Sequence, residues 1–253
     1  MTLIVTDIYR YPVKRLSGES LPVAALHPRQ TITGDRMYAL GRPGLQFDTK
    51  NPVWMPKTHF LALVRDARLA ELETRYDDAT SVLTISRDAE SQLSADLSQP
   101  AGRAAPETFF GTFLSDDISG PPTLLKADGH SFSDLDDKFL SLINLESVRA
   151  VAAETGRDID PIRFRGNIWF DGAPAWAEHD WVGSRIKIGD IRLEVIKRTR
   201  RCGATNVNPD NALRDVNIPA TLQKTWGHAD LGVYARVIKG GDIRAQDSKQ
   251  IEN

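Results

Sequence analysis

The sequence predicts a mixed α/β fold made mostly of strands. Short runs rich in Ile, Val, Leu and Tyr recur through the first third and again towards the C-terminus, separated by Gly, Asp, Ser and Pro. One stretch, Asn144–Thr155, has clear helical periodicity. The composition is that of an ordinary globular chain. Of 253 residues, 41% are apolar and 26% charged, enough for one large domain or two small ones.

In chain order, Leu3–Tyr11 is β-branched and aromatic, and Pro12 limits where that strand can sit. Leu21–Leu26, Met37–Leu40, Phe60–Arg65, Ala67–Arg75 and Val82–Ser86 are further short strands. Turn signals at Ser17-Gly18, Thr33-Gly34-Asp35, Pro43-Gly44 and Asp77-Asp78 divide them. Strands this short and this frequent suit a barrel or sandwich. Arg87–Gly102 is polar and reads as a surface loop, and Glu107–Leu114 as a short helix. The breakers Ser119-Gly120-Pro121-Pro122 mark a soft boundary.

In Asn144–Thr155, Leu145, Val148, Val151 and Ala152 form one face. Asn144 suits the N-cap and Gly156 the C-terminal end. Strands return at Asn167–Phe170, Arg185–Ile188, Ile191–Ile196 and Val233–Ile238, with short helices at Asn211–Val216 and Pro219–Thr225.

The charge balance is near neutral: 32 Lys+Arg against 34 Asp+Glu, a formal net charge of −2. That argues against a nucleic-acid binder, which is usually strongly basic. The single cysteine, Cys202, excludes an intrachain disulfide, a four-cysteine iron–sulfur site and a cysteine-rich zinc site. The N-terminus lacks the pattern of a signal peptide. No apolar run approaches the ~18 residues of a membrane span. A cytoplasmic, membrane-free protein is expected, with monomer as the default state.

Chemistry concentrates first at Cys202, which ends the run Lys197-Arg198-Thr199-Arg200-Arg201-Cys202. Arginine neighbours favour a thiolate, able to attack an electrophile, carry sulfur or bind a soft metal. The plain alternative is a small buried apolar residue. Further cations stand at Lys14 and Arg15, at Arg36, and at Arg163 and Arg165. Arginines suit bidentate phosphate contacts, although any one cluster could equally be a solvated strand end. The helix opening at Asn144 offers free N–H groups to an anion, or is an ordinary cap. Glu178, His179 and Asp180 between Trp176 and Trp181 could suggest a metal. One imidazole without a second at ligand spacing favours a structural role, with Glu178 hydrogen-bonded. No G-x-G-x-x-G, P-loop or G-x-S-x-G is present.

Seven segments in order then resemble one family: YPVKRLSG, GDRMYAL, HSFSD with LINLESV, RFRGNIWFDG, WAEHDWVGSRIKIGDIRLEV, RRCGATNVNPD and LGVYARVIKGGDI. The chain resembles the MOSC family, specifically members with an N-terminal β-barrel domain, similar to the mitochondrial amidoxime-reducing component and its bacterial relatives. The resemblance implies a small N-terminal β-barrel domain at 1–118 and a MOSC β-barrel with flanking helices at 119–253. It implies a molybdenum cofactor, a molybdopterin dithiolene with a terminal phosphate, with Cys202 ligating the metal. It carries pterin and phosphate contacts to Lys14, Arg15, Arg36, Arg165 and Asn167, and helix-start contacts to Asn144, Leu145 and Glu146. Arg200 and Arg201 flank the ligand, and Tyr234 stands at the pocket. The implied function is an oxidoreductase that reduces N-hydroxylated compounds with electrons from a separate electron-transfer protein. The alternatives are a non-catalytic cofactor carrier, a sulfur carrier using a Cys202 persulfide, and a barrel that has lost its cofactor. Departures from the family pattern fall at Arg15, Asn144, Asn211-Ala212 and Leu231.

Overall fold

A computed structural model describes residues 2–245 and 248–250. The N-terminal half runs β1 (Thr2–Arg10), β2 (Glu19–Ser20), β3 (Val23–Leu26), β4 (Tyr38–Gly41), β5 (Glu73–Asp77), β6 (Val82–Arg87), β7 (Glu90–Asp96), α1 (Pro100–Phe113) and β8 (Thr123–Lys126). The C-terminal half runs β9 (Leu140–Asn144), α2 (Leu145–Thr155), β10 (Ile168–Asp171), β11 (Arg185–Ile188), β12 (Ile191–Arg200), α3 (Ile218–Trp226), β13 (Asp230–Lys239), β14 (Gly241–Arg244) and β15 (Ser248–Gln250). The mixed, mostly β class is as the sequence predicts. No helix among the described residues is long and apolar enough to cross a membrane.

The main sheet has the order β11-β12-β13-β9-β10-β1-β15, with β2 also paired to β1. It curls, so that β11 comes near β15. Inside the curl, Val5, Ile8, Leu142, Ile168, Leu193 and Val233 are buried in one core. A second core joins Tyr38 and Leu40 of β4, Tyr76, Leu83 and Ile85 of the β5-β6-β7 meander, and Phe110 of α1. A third packs Val148 and Val151 of α2 and Leu222 of α3 against Ile143 and Trp169. β1 and β3 precede residue 119, yet they pair with β10, β15 and β14, which come after it.

α2 forms as its sequence dictates. Asn144 Oδ1 accepts from the Glu146 amide at 3.1 Å, and Gly156 ends the helix at φ +62°. Other local readings are corrected. Arg87–Gly102 is not a loop: it holds β7 and the start of α1. β6 and β7 join through Asp88 and Ala89, both at positive φ (+53° and +64°), the hairpin geometry usually announced by Asn-Gly. α1 begins at Pro100, where the missing N–H is harmless, and not at Glu107. Phe60–Arg65 is not a strand, and Ala67–Glu71 is a 3-10 turn ahead of β5. The Asn211–Val216 helix is absent, because Asn208 and Asn211 side chains accept from the Asp210 and Leu213 amides and close turns there. β9 was not expected. All five of its residues are buried, and it runs parallel to β10, so it lacks the alternation that marks a half-exposed strand.

Candidate functional site

Four segments meet in a cleft enclosing about 830 Å³, its open mouth included. The loop after β1 brings Lys14 and Arg15, and the turn before β4 brings Arg36. The turn before β10 brings Arg165 and Asn167, and the end of β12 brings Arg200, Arg201 and Cys202. Tyr234 of β13 completes the set. With Lys57 and Arg163, the cations far outnumber the two lining carboxylates, Asp134 and Asp137.

The end of β12 owes its position to an irregular ladder. Arg198 pairs with Val233 and Arg200 with Asp230, so β12 advances two residues while β13 advances three. The extra residue bends the edge and re-aims the end of β12. Gly232, within the bulge, has φ +74°, and a Cβ there would lie 2.4 Å from the Leu142 carbonyl oxygen. Only glycine fits that conformation and that gap. Arg201 folds back over it, donating to Leu231 O through Nε (2.8 Å) and to Phe164 O through Nη1 (2.7 Å). Its burial lowers its pKa to about 10. Cys202 is half-buried and unpaired by disulfide. Its carbonyl accepts from the Thr205 amide and hydroxyl at 3.0 and 2.9 Å, which fixes the turn behind the thiol.

Arg36 and Arg165 stack on Tyr11, their guanidinium carbons 4.9 and 4.3 Å from the ring centre. Arg36 is paired to Asp35 through a short contact and donates to Arg165 O at 3.2 Å. Among the described residues Arg165 has no such carboxylate. Its Nη2 is buried without a hydrogen-bond partner among the described residues, and burial lowers its pKa to about 9. Arg15 clamps Asp134 through Nη2 at 2.6 and 2.5 Å, and its Nε is likewise unpartnered among those residues.

Lys14 is 3% exposed and spends all three N–H bonds on Phe132 O, Ser133 O and Asp134 Oδ1 (2.7, 3.2 and 2.7 Å). It reaches an anion through its charge, not through a free donor. Burial lowers its pKa to about 8. The native chain therefore gives up this proton between pH 8 and the ordinary value of 10.5, while the unfolded chain keeps it. The charged form is a burden on the fold below pH 8 and an aid to anion binding there. Sulfate, whose own charge is constant in this range, should bind a few-fold more weakly at pH 9 than at pH 7. Lys14→Arg should flatten that profile, as isothermal calorimetry would show. An equally steep profile in the variant would assign the titration elsewhere.

Three expected residues are not at the cleft. Asn144 is fully buried, donating to Pro174 O and Glu178 Oε2, both at 2.8 Å. Leu145 packs among the apolar side chains around α2, and Glu146 pairs with Arg149 at the surface. Asn167 lines the cleft, but its amide is already used: Nδ2 donates to Tyr9 O and Oδ1 accepts from the Ser141 amide, both at 3.1 Å. Glu178 is structural, as the sequence suggests, accepting from Asn144, Ser147 and the Gly232 amide. Among the described residues no group of three or more His, Cys, Asp or Glu could hold a bare metal ion.

Sequence reading did not single out Lys57, Ser141, Thr199 and Thr205, which also line the cleft. The hydroxyls of Ser141 and Thr199 are buried without partners among the described residues. Nothing local marks them; only their places on β9 and β12 bring them there.

A family model of the MOSC domain matches residues 127–249, which include Cys202 and the arginines around it. Among solved structures, the chain is similar to YuaD from Bacillus subtilis, at 13% identity over 98% of this chain and 94% of that one, TM-score 0.47. It is similar to YiiM from Geobacillus stearothermophilus, at 20% identity over 44% and 54%, TM-score 0.33. YiiM from Escherichia coli gives 19% identity over 45% and 54%, TM-score 0.33. No protein of curated function matches the chain.

Proposed function

Because the chain carries a MOSC domain over residues 127–249, we propose that its cation-lined cleft binds a molybdenum cofactor and that the protein is an oxidoreductase acting on N-hydroxylated compounds. The observation that carries this reading is the convergence of cations, more numerous than the carboxylates among them, beside the single cysteine. Arg165 Nη2 and Arg15 Nε are buried donors that an anionic group would satisfy. A soft sulfur ligand, Cys202, stands at the same cleft, and no protein cluster among the described residues is fit to hold a bare ion. The donor set suits a metal delivered inside a phosphate-bearing organic ligand, with one protein ligand to complete it.

When bound, that group would supply the two-electron redox chemistry needed to reduce an N–OH substrate. The chain's own residues do the rest. Cys202 would hold the metal. Arg165, Arg36 and Arg15 would hold the phosphate, oriented by the Tyr11 ring and by Asp35 and Asp134. Arg201, locked to two carbonyl groups, keeps a positive charge beside Cys202. Tyr234 presents a hydroxyl whose pKa is raised, chiefly by burial, so that it stays protonated and can donate a hydrogen bond. Electrons would come from a separate protein.

Elemental analysis of the wild type and Cys202→Ala, both made in a host that synthesises the cofactor, tests the reading. Near-stoichiometric molybdenum in the wild type, with hydroxylamine reduction from an artificial donor that the variant loses, is the expected result. Molybdenum without turnover would identify a cofactor carrier. Neither metal nor pterin in the wild type would end the proposal, and added sulfur mass on the intact protein would point to a Cys202 persulfide.

A further inference from the structure

Beside the cation cleft lies a second cavity of about 1040 Å³, its mouth included. Arg15, Arg163, Arg165 and Ala204 line both, so the two share a wall. The remaining walls are largely apolar. Leu63, Leu69 and Leu72 come from the segment ahead of β5, and Tyr9 and Trp169 from β1 and β10 of the main sheet. The Tyr9 and Trp169 rings stack at 4.5 Å with 30° between their planes, offering a flat aromatic surface.

Four donors on this lining stand without acceptors among the described residues. Arg15 Nε, Arg163 Nε, Arg165 Nη2 and Trp169 Nε1 are each buried with no acceptor among the described residues. Arg15, Arg163 and Trp169 are themselves more than nine-tenths buried, at 9%, 6% and 7% exposure. Of the two carboxylates on the lining, Asp160 already accepts from the Ile162 amide, and Glu73 is exposed. Arg15 and Arg165 are already assigned to the phosphate; Arg163 Nε and Trp169 Nε1 remain, and buried donors without acceptors on an apolar-walled cavity call for a ligand that brings the acceptors.

We propose that this cavity binds a small aromatic carboxylate. Its ring lies against the leucines, and its carboxylate meets Arg163 Nε and Trp169 Nε1. A cation would bring no acceptor, and a purely apolar ligand would leave the two donors unsatisfied. The inference rests on the reductase reading only in naming this ligand's N-hydroxylated relatives as substrates; as a binding site it stands alone.

The probe is 4-fluorobenzoate, observed by 19F NMR as it is titrated with the purified protein. Saturable broadening with a dissociation constant below about 1 mM is expected. Ala70→Phe, at a half-buried position on the lining, should fill the cavity and weaken binding about tenfold or more. Trp169→Phe keeps a ring but removes the indole N–H, and should weaken binding about threefold or more. Sulfate binding retained in each variant shows that the cation cleft, and hence the fold, is intact. No binding to the wild type, or binding indifferent to both substitutions, overturns the proposal. Molybdenum content of the same preparations keeps the two readings apart. Metal without 4-fluorobenzoate binding sinks only this site; binding without metal sinks only the reductase.

Discussion

Glu178→Ala is expected to cost about 3 kcal/mol of stability, one of the largest losses from a single substitution in this chain. The carboxylate is fully buried and is the common acceptor of three elements. Asn144 Nδ2 from the α2 cap, Ser147 Oγ from the first turn of α2, and the Gly232 amide from the β13 bulge all donate to it, at 2.8, 2.8 and 3.3 Å. Alanine would strand these donors and leave a cavity in a dry interior. In a chain of this length the melting temperature should fall by roughly 6–12 °C. Glu178→Gln keeps an oxygen for Ser147 and Gly232 but turns an N–H towards Asn144, so a smaller loss is expected. Because Gly232 adjoins Arg201, Glu178→Ala should also loosen the cation cleft and weaken sulfate binding. A thermal scan showing less than about 2 °C of change would mean that water replaces the carboxylate without penalty.

Arg165→Ala should act with opposite signs on binding and on stability. Its guanidinium is half-buried, with Nη2 fully enclosed, stacked on Tyr11 and without a carboxylate partner among the described residues, unlike Arg36, which has Asp35, and Arg163, which has Asp215. A charge so placed is a burden on the ligand-free fold, and burial accordingly lowers its pKa to about 9. The same guanidinium is a prepared donor to an anion. Losing it removes a charge-assisted contact of about 1.5–3 kcal/mol, or roughly 10- to 150-fold in sulfate affinity. Alanine meets the same left-handed backbone (φ +52°) that arginine does, so no new strain enters. The ligand-free variant should therefore melt at the wild-type temperature or slightly above it. A variant that lost stability and kept its sulfate affinity would make Arg165 a structural residue.

Together these outcomes separate the two kinds of buried polar group in this molecule. Glu178 is a carboxylate whose donors are all present. Arg165 Nη2 and Arg15 Nε at the cleft are donors that lack acceptors among the described residues. Polar groups satisfied within the chain hold the fold, and those left unsatisfied mark where a ligand belongs.

Much of the frame was legible in the sequence because its signals are local. The β-branched run of β1 needs only its own residues to be read. So does α2, with an apolar face, an Asn cap and a terminal glycine. Cys202 behind two arginines is an adjacent-residue pattern. Features with no local signal were missed. β9 is buried throughout and borders α2, so its residues looked like the approach to a helix. β7 and the start of α1 lie in a polar stretch, and the turn joining β6 to β7 uses Asp-Ala in a conformation glycine normally takes. Asn144 was assigned both to the helix cap and to the cofactor; its side chain is committed to the cap and to Glu178.

The sequence by itself determined the fold class, the capped helix and the stock of chemical groups: one thiol, and cations scattered from Lys14 to Arg201. Only the tertiary structure decided which of those cations share a space. Asp35 and Asp215 neutralise two of the arginines, and Lys14 is fully engaged with the distant 132–134 segment, while Arg165 is left over. The physical reason is that ion pairing and desolvation act across contacts between distant segments. Whether a charge is spent on the fold or kept for a ligand depends on its neighbours in space, not on its neighbours in the chain.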